Sequence, residues 1–224
     1  MTTSRKRPAR KPVAEPRPGP SADRKRGSFT FIEEARRRQI LDAALTLFAE
    51  RGYDRTSLTD LAAAIGVSKG VVSYHFHGKA ELGREALRHL IRRYRDFVRE
   101  RLDAKATARE RLLELPIACI DFVQQQPLPY LVYLDTLGSF GTATERQEFM
   151  ARAIAGMRHL LTELILAAQA EGSVARFAPG PLADLIQASV DGLMEQVALE
   201  PGAVDLDGAK VLLLQMMNGV LDAR

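Results

Sequence analysis

The stretch from Ser57 to Lys79, SLTDLAAAIGVSKGVVSYHFHGK, concentrates hydrogen-bond donors and positive charge. It holds five hydroxyls (Ser57, Thr59, Ser68, Ser73, Tyr74), two imidazoles (His75, His77) and two ammonium groups (Lys69, Lys79) against one carboxylate, Asp60. The outward residues of its second half, KGVVSYHF, are polar, basic or small, as suits a segment that enters a major groove. Bond-breaking chemistry is poorly served. His75 and His77 with Glu81 hint at a metal, but histidines two apart on a helix point to different sides, and no third ligand lies at metal spacing. Gly78-Lys79 lacks the earlier glycine and the following hydroxyl of a phosphate loop. Ser139, between Gly138 and Phe140, is not a nucleophile elbow. Asp121, Asp135 and Glu163 have no evident catalytic partner, and Cys119 among Ile117, Ala118 and Ile120 reads as a small core residue. No catalytic residue, metal site or cofactor is expected, and the chain does not read as an enzyme.

Two short helices must position these donors. Leu58, Leu61, Ala62 and Ile65 share one helical face. Ser57 with Asp60 has the spacing of a capping box, and Gly66 is placed to end the helix. Ser68 is an N-cap for a second helix over about 69–76, anchored by Val72 and Phe76 four residues apart. This is a helix-turn-helix, whose second helix would enter a major groove. Before it, Thr30 with Glu33 suggests a capping box, followed by a stripe of Ile40, Leu41, Ala44, Leu45 and Phe48 that Gly52 closes. After it, helices are expected over about 80–102, 107–125 (with Pro116 kinking or restarting it), 129–137, 144–171, 181–199 and 207–221. No strand-like alternation and no internal repeat occur, so the fold class is all-α: an N-terminal three-helix domain over 29–79 and a helical domain over 80–224.

The 224 residues are graded in charge. Residues 1–28 carry 9 Lys/Arg against 2 acids, residues 29–101 carry 14 against 10, and residues 102–224 carry 9 against 16. A polyanion is drawn to the first half and mildly repelled by the second. Residues 1–28, rich in Arg, Lys and Pro, are expected to form a disordered basic arm, either a solubilising tail or a phosphate-binding extension. No uncharged apolar run approaches the roughly 18 residues of a membrane span, and the basic N-terminus has no apolar segment behind it. One cysteine cannot form an intramolecular disulfide and fits a reducing, cytoplasmic setting.

The run ILDAALTLFAERGYDRTSLTDLAAAIGVSKGVVSYHFHGKAEL, Ile40 to Leu82, resembles the tetracycline-repressor (TetR) family of bacterial transcription regulators. Its carriers are a helix ending in Gly-Tyr, then Thr-Ser, Ala-x-x-x-Gly-Val-Ser-Lys-Gly, and Tyr-His-Phe. Beyond residue 102 the likeness is one of outline only. The resemblance implies that Ser57 and Thr59 touch phosphates, that Lys69, Gly70, Val71 and Ser73 face the groove, that Tyr74 and His75 meet phosphate or base edges, and that Lys79 pairs with a flanking phosphate. Val71 stands where the family often has threonine and Ser73 where it often has tyrosine. An apolar Val71 can meet a thymine methyl but cannot donate to a base, so the operator cannot be borrowed from relatives.

The resemblance also implies a cavity among the C-terminal helices, for which Phe122, Tyr130, Tyr133, Phe149, Met150, Met157, Leu160, Leu161 and Leu164 are candidates. Read plainly, the same residues are simply core. The helices over 181–199 and 207–221 have apolar arcs too wide for one neighbour, with Ile186, Val190, Leu193 and Val197 on the first and Leu214, Met217 and Leu221 on the second. Small Ala188, Ser189 and Gly192 allow close approach, so two copies could form a four-helix bundle about a two-fold axis, unless both helices merely cover the protomer's core. The expected partners are an operator in double-stranded DNA, a second copy of the chain and an unknown, largely apolar small-molecule effector, with no membrane. A repressor released by that effector is the leading expectation. An activator or ligand-independent regulator on the same fold and an architectural DNA binder remain open.

Overall fold

Reciprocal caps punctuate the chain where hydroxyl and carboxylate residues stand three apart. The computed structural model describes residues 31–139, 142–200 and 202–223. Among them run α1 (Phe31–Arg51), α2 (Leu58–Ala64), α3 (Lys69–His75), α4 (Lys79–Asp103), α5 (Ala108–Gln125), α6 (Pro127–Ser139), α7 (Ala143–Ala170), α8 (Pro179–Leu199) and α9 (Leu206–Leu221), with no strand among the described residues. The expected arm over 1–28 and the cap at Thr30 lie outside the described residues.

The Ser57 hydroxyl accepts from the Asp60 N–H at 3.1 Å, and the Asp60 carboxylate accepts from the Ser57 N–H at 2.8 Å. Thr107 with Glu110 and Thr142 with Glu145 repeat the device at the starts of α5 and α7. Each cap satisfies orphan amide donors and is worth about 1 kcal/mol. Gly66 takes φ +67°, and the Val67 N–H reaches back to the Ala62 carbonyl at 3.0 Å, closing α2. α5 does not restart at Pro116, which sits buried inside one continuous helix. α6 begins at Pro127, where a missing N–H costs nothing at a helix start.

The helix-turn-helix core is built from Ile40, Ala44 and Phe48 of α1, Leu61 and Ala62 of α2, Val72 and Phe76 of α3 and its end, and Leu82 of α4, all buried. Burying a side chain such as Phe76 fully contributes about 1.5–3 kcal/mol. α4 continues into the second half, where it packs on α5 and α6; α5 in turn packs on α7 and α8, and α7 on α8. Gly83 of α4 lies under the Tyr53 ring, and an ideal Cβ there would meet Tyr53 Cε2 at 2.6 Å.

The expected dimer residues need correction. Ile186, Val190, Met217 and Leu221 are 4 % exposed or less and belong to the protomer's own core, and Leu193, Val197 and Leu214 are half-buried. The helical period explains the difference: Ala183, Ile186, Val190, Met194 and Ala198 form the inward stripe of α8. The outward apolar residues are Leu185 and Leu199 on α8, and Val211, Leu212, Met216 and Val220 on α9. Ala188, Ser189 and Gly219 share those outer faces.

Candidate nucleic-acid interface and a cavity beneath it

Along α3 the positions Val72, His75 and Phe76 are spaced i, i+3, i+4 and are buried, which turns Lys69, Gly70, Ser73 and Tyr74 to the surface. Ser57 and Thr59 of the preceding cap and helix are exposed with them, and Val71 is half-buried. Tyr74 is 66 % exposed and donates its hydroxyl to the Glu33 carboxylate at 3.1 Å.

His75 is the clear correction. Its ring is 7 % exposed and on the core face, so it does not offer an edge to a base. Burial, then the charge of Arg37, holds its pKa below the ordinary histidine value. The pairing with His77 has no geometric consequence, since the Glu81 carboxylate accepts from the His77 backbone N–H at 2.7 Å as a cap on α4. Lys79 is half-buried and is already employed within the fold. Its ammonium donates to the Asp54 carbonyl at 2.8 Å and lies 4.5 Å from the centre of the Tyr53 ring, which ties the α1–α2 turn to α4.

Arg37 is a contributor that the spacing of charges did not reveal. Its guanidinium donates to the His75 carbonyl at 2.8 Å, stacks 4.3 Å from the centre of the Phe76 ring and pairs with Glu85 at 3.1 Å, joining α1, α3 and α4. The available signal was its place three and four residues before Ile40 and Leu41, on the face that enters the core. His89 of α4 joins the same junction, its Nε2 2.7 Å from the Asp42 carboxylate of α1.

Beyond this junction α4, α5, α6, α7 and α8 line a partly open cavity of about 790 Å³. Phe122, Tyr130, Tyr133, Met150, Met157, Leu160 and Leu164 line it. Leu161 does not; it is 1 % exposed and packs in the core with Ile165. Phe149 is half-buried and also outside the lining, one residue round the helix from Met150. The α7 residues that do line it follow one another at helical steps from Met150 through Met157 and Leu160 to Leu164.

Sequence reasoning missed the polar wall. Tyr94 comes from α4, and Gln187, Asp191 and Glu195 come from successive turns of α8. Their i, i+4, i+8 spacing directly beside Ile186, Val190 and Met194 was the sign that a polar stripe borders the core. Gln187 is 8 % exposed and donates its amide to Asp191 at 2.7 Å. Burial pushes the Asp191 carboxyl above the usual carboxylate range, with the Gln187 bond opposing the shift. Burial, followed by the Asp191 charge, pushes Tyr130 up to about 12; burial, then Tyr130 and Asp191, does the same to Tyr133. The Cys119 thiol, buried beside this wall, is held at about 12 by burial and is inert as a nucleophile. Arg95, Arg99, Asp103 and Arg111 line another part of the cavity.

α6 spans both regions. Tyr130 and Tyr133 border the cavity, and two residues after Tyr133, on another face of the helix, the Asp135 carboxylate accepts the Tyr53 backbone N–H at 2.9 Å, just past the end of α1.

Two family descriptions match the chain: "Bacterial regulatory proteins, tetR family" over residues 40–86 and "BetI-type transcriptional repressor, C-terminal" over residues 108–222. It is 29 % identical over 198 residues to the HTH-type transcriptional regulator BetI of Cronobacter sakazakii, covering 84 % of this chain and 91 % of that protein. It is 32 % identical over 148 residues to the HTH-type transcriptional repressor KstR2 of Rhodococcus jostii, covering 64 % of this chain and 70 % of that one. Among solved structures, a transcriptional regulator from Saccharomonospora viridis in complex with choline superposes with a TM-score of 0.71 at 24 % identity, over 85 % of this chain and all of that chain.

Proposed function

The chain belongs to the tetR family of bacterial regulatory proteins and is a DNA-binding transcriptional regulator, and from that premise we propose a dimeric cytoplasmic repressor that leaves its operator when the cavity is filled. Residues 29–79 serve as the DNA-binding domain, residues 80–224 bind effector and partner, and the basic stretch over 1–28 adds non-specific attraction to DNA. Ser57, Thr59, Lys69, Gly70, Val71, Ser73 and Tyr74 make the DNA contacts, with Lys79 positioning the turn behind them rather than serving chiefly as a phosphate donor. Choline in a protein of the same fold supports a small-molecule role for the C-terminal helices. No catalytic role is assigned.

The observation that carries the reading is α6, which touches the cavity through Tyr130 and Tyr133 and the DNA-binding half through Asp135. An effector that moves α6 displaces Tyr53, and with it the junction of α1 and α4. The two recognition helices of a dimer must match half-sites roughly 34–36 Å apart, so a small rotation of each domain weakens binding at both. The outer faces of α8 and α9 supply the dimer contact: exposed Leu185, Leu212 and Met216 beside small Ala188, Ser189 and Gly219 allow close helix approach.

Selection of bound DNA from a random pool tests the reading. A roughly palindromic sequence is expected, with Tyr74→Ala and Lys69→Ala each weakening its binding while the fold is kept. Each phosphate contact removed should lower the log–log salt slope by ~0.9. A protein that selects no sequence from the pool is an architectural binder, and the proposal fails.

A further inference from the structure

The cavity has a polar corner of acceptors whose chemistry is complementary to one kind of ligand head. Gln187 is 8 % exposed, and its amide nitrogen is committed to Asp191 at 2.7 Å. That bond fixes which way the amide points, because only its NH₂ can face a carboxylate. The remaining atom, Gln187 Oε1, is buried and has no hydrogen-bond partner among the described residues. A buried carbonyl oxygen without a donor is destabilising, so it marks a place where a donor belongs. Asp191 beside it is half-buried and has no Lys, Arg or His in ion-pair range among the described residues. Glu195 follows one turn on. Tyr94, Tyr130 and Tyr133 line the same cavity, and burial first, with the Asp191 charge adding to it, raises all three phenols. Tyrosine ring faces attract cations, and the Tyr133 hydroxyl is turned away to the Met150 sulfur at 2.6 Å.

The basic residues on the wall do not offset this. Arg95 and Arg99 are exposed, and Arg95 lays its guanidinium over Gly156 of α7, while no arginine acts on the Asp191 carboxyl. Arg111 donates to the Lys105 carbonyl at 3.1 Å. At the Gln187–Asp191 corner itself the half-buried, unpaired charge is therefore negative. A head alone does not fill it: about 790 Å³ falls in the range of cavities for drug-sized molecules, and Met157, Leu160 and Leu164 give the remainder an apolar wall.

We infer that the cavity takes a protonated amine carrying a bulky apolar body, its ammonium N–H groups donating to Asp191 and Gln187 Oε1 among Tyr94, Tyr130 and Tyr133. The inference rests on the reading of this cavity as the effector site, and it adds the charge, the donor character and the size of the effector.

Three probes with one chain and different heads test it: decylammonium, decyltrimethylammonium and decyl sulfate, each titrated calorimetrically into the full chain below its micelle-forming concentration. Decylammonium is expected to bind tightest, one per protomer. Decyltrimethylammonium, charged but without N–H donors, is expected several-fold weaker, and decyl sulfate weakest. Asp191→Asn keeps the shape and should cost decylammonium about tenfold or more while barely changing decyl sulfate. Gln187→Leu should erase the preference between the two ammonium heads. Circular dichroism melting curves matching the parent show that both variants fold. Decyl sulfate binding as tightly as decylammonium, or undiminished decylammonium affinity in a folded Asp191→Asn chain, overturns the assignment. Equal affinity for the two ammonium heads in the parent chain overturns the donor role of Gln187. Operator affinity measured with decylammonium present separates the two readings: tight, Asp191-dependent binding with unchanged operator affinity upholds the site and refutes the release mechanism.

Discussion

Replacing Gly83 with alanine in the middle of α4 should destabilise the protein, against the usual trend. In a helix interior alanine is favoured over glycine by about 1 kcal/mol. Here the new methyl would lie 2.6 Å from Tyr53 Cε2 and 3.2 Å from its Cζ. The ring cannot readily swing aside. It is 4 % exposed, edge-on to Phe48 at 5.2 Å, held by its hydroxyl to the Lys79 carbonyl at 3.3 Å, and covered by the Lys79 ammonium. Overpacking of this kind costs about 1–3 kcal/mol, so the net effect is a loss of up to about 2 kcal/mol. For a chain of this length each kcal/mol moves the melting temperature by roughly 2–4 °C. Thermal and urea unfolding followed by circular dichroism would measure it. Pairing the change with Tyr53→Leu supplies the control: with the ring removed, Gly83→Ala should become stabilising by about 1 kcal/mol, a reversal of sign that isolates the contact. A higher melting temperature for Gly83→Ala in the otherwise unaltered chain would refute the reasoning.

Two further outcomes follow from burial. Because His75 is buried and its pKa is held below its ordinary value of 6.5, the unfolded chain takes up its proton first as pH falls. The folded state therefore loses stability below about pH 6.5, down to the depressed folded value. Urea midpoints compared across that window should fall in the parent and fall less in His75→Gln; parallel curves would contradict the assignment. The lowered carboxylates Glu85 and Asp121 act at more acidic pH and do not obscure the comparison. At the other end of the molecule, Leu185→Asp with Leu212→Asp should leave a folded protomer that sediments as a monomer and binds operator at least about tenfold more weakly, through loss of the linked second half-site. Ile186→Asp, placed in the core stripe, should unfold the chain instead, and a dimer persisting in the exposed double variant would refute the assigned face.

The helix-turn-helix was legible because its signals are local: Ser57 and Asp60 cap each other, Gly66 supplies a left-handed turn, and Val72 and Phe76 repeat at one helical step. His75 was misplaced because its chemistry outweighed its position, three residues from Val72 and beside Phe76. Lys79 has a role within the fold that its sequence neighbours do not show. Its partners, Asp54 and the Tyr53 ring, are 25 and 26 residues earlier, and such contacts exist only once α1, α2 and α4 have packed. Ile186, Val190, Met217 and Leu221 were assigned to the dimer rather than to the protomer's core for a similar reason. An amphipathic helix with apolar residues over most of its surface shows that two faces are needed, but not which arc meets α5, α6 and α7. The cavity was half visible, since aromatic and methionine residues suggest an adaptable wall. Its acceptors, Gln187 and Asp191, read as an ordinary polar edge of α8 until the fold turned them inward.

On the proposed mechanism the bond from Tyr53 to Asp135 makes α6 a shared component of two equilibria. Thermodynamic linkage is symmetric, so a ligand that lowers operator affinity by a given factor is itself bound more weakly, by that same factor, whenever the protein sits on its operator. With factors of about 5–150 typical of such couplings, DNA is a competitor of the effector although the two never touch. Molecules free in solution would then be the better binders and would fill first. The concentration at which a promoter opens would depend on how many copies of the protein are present beyond those its operators hold, so the abundance of the regulator is part of its calibration as a sensor.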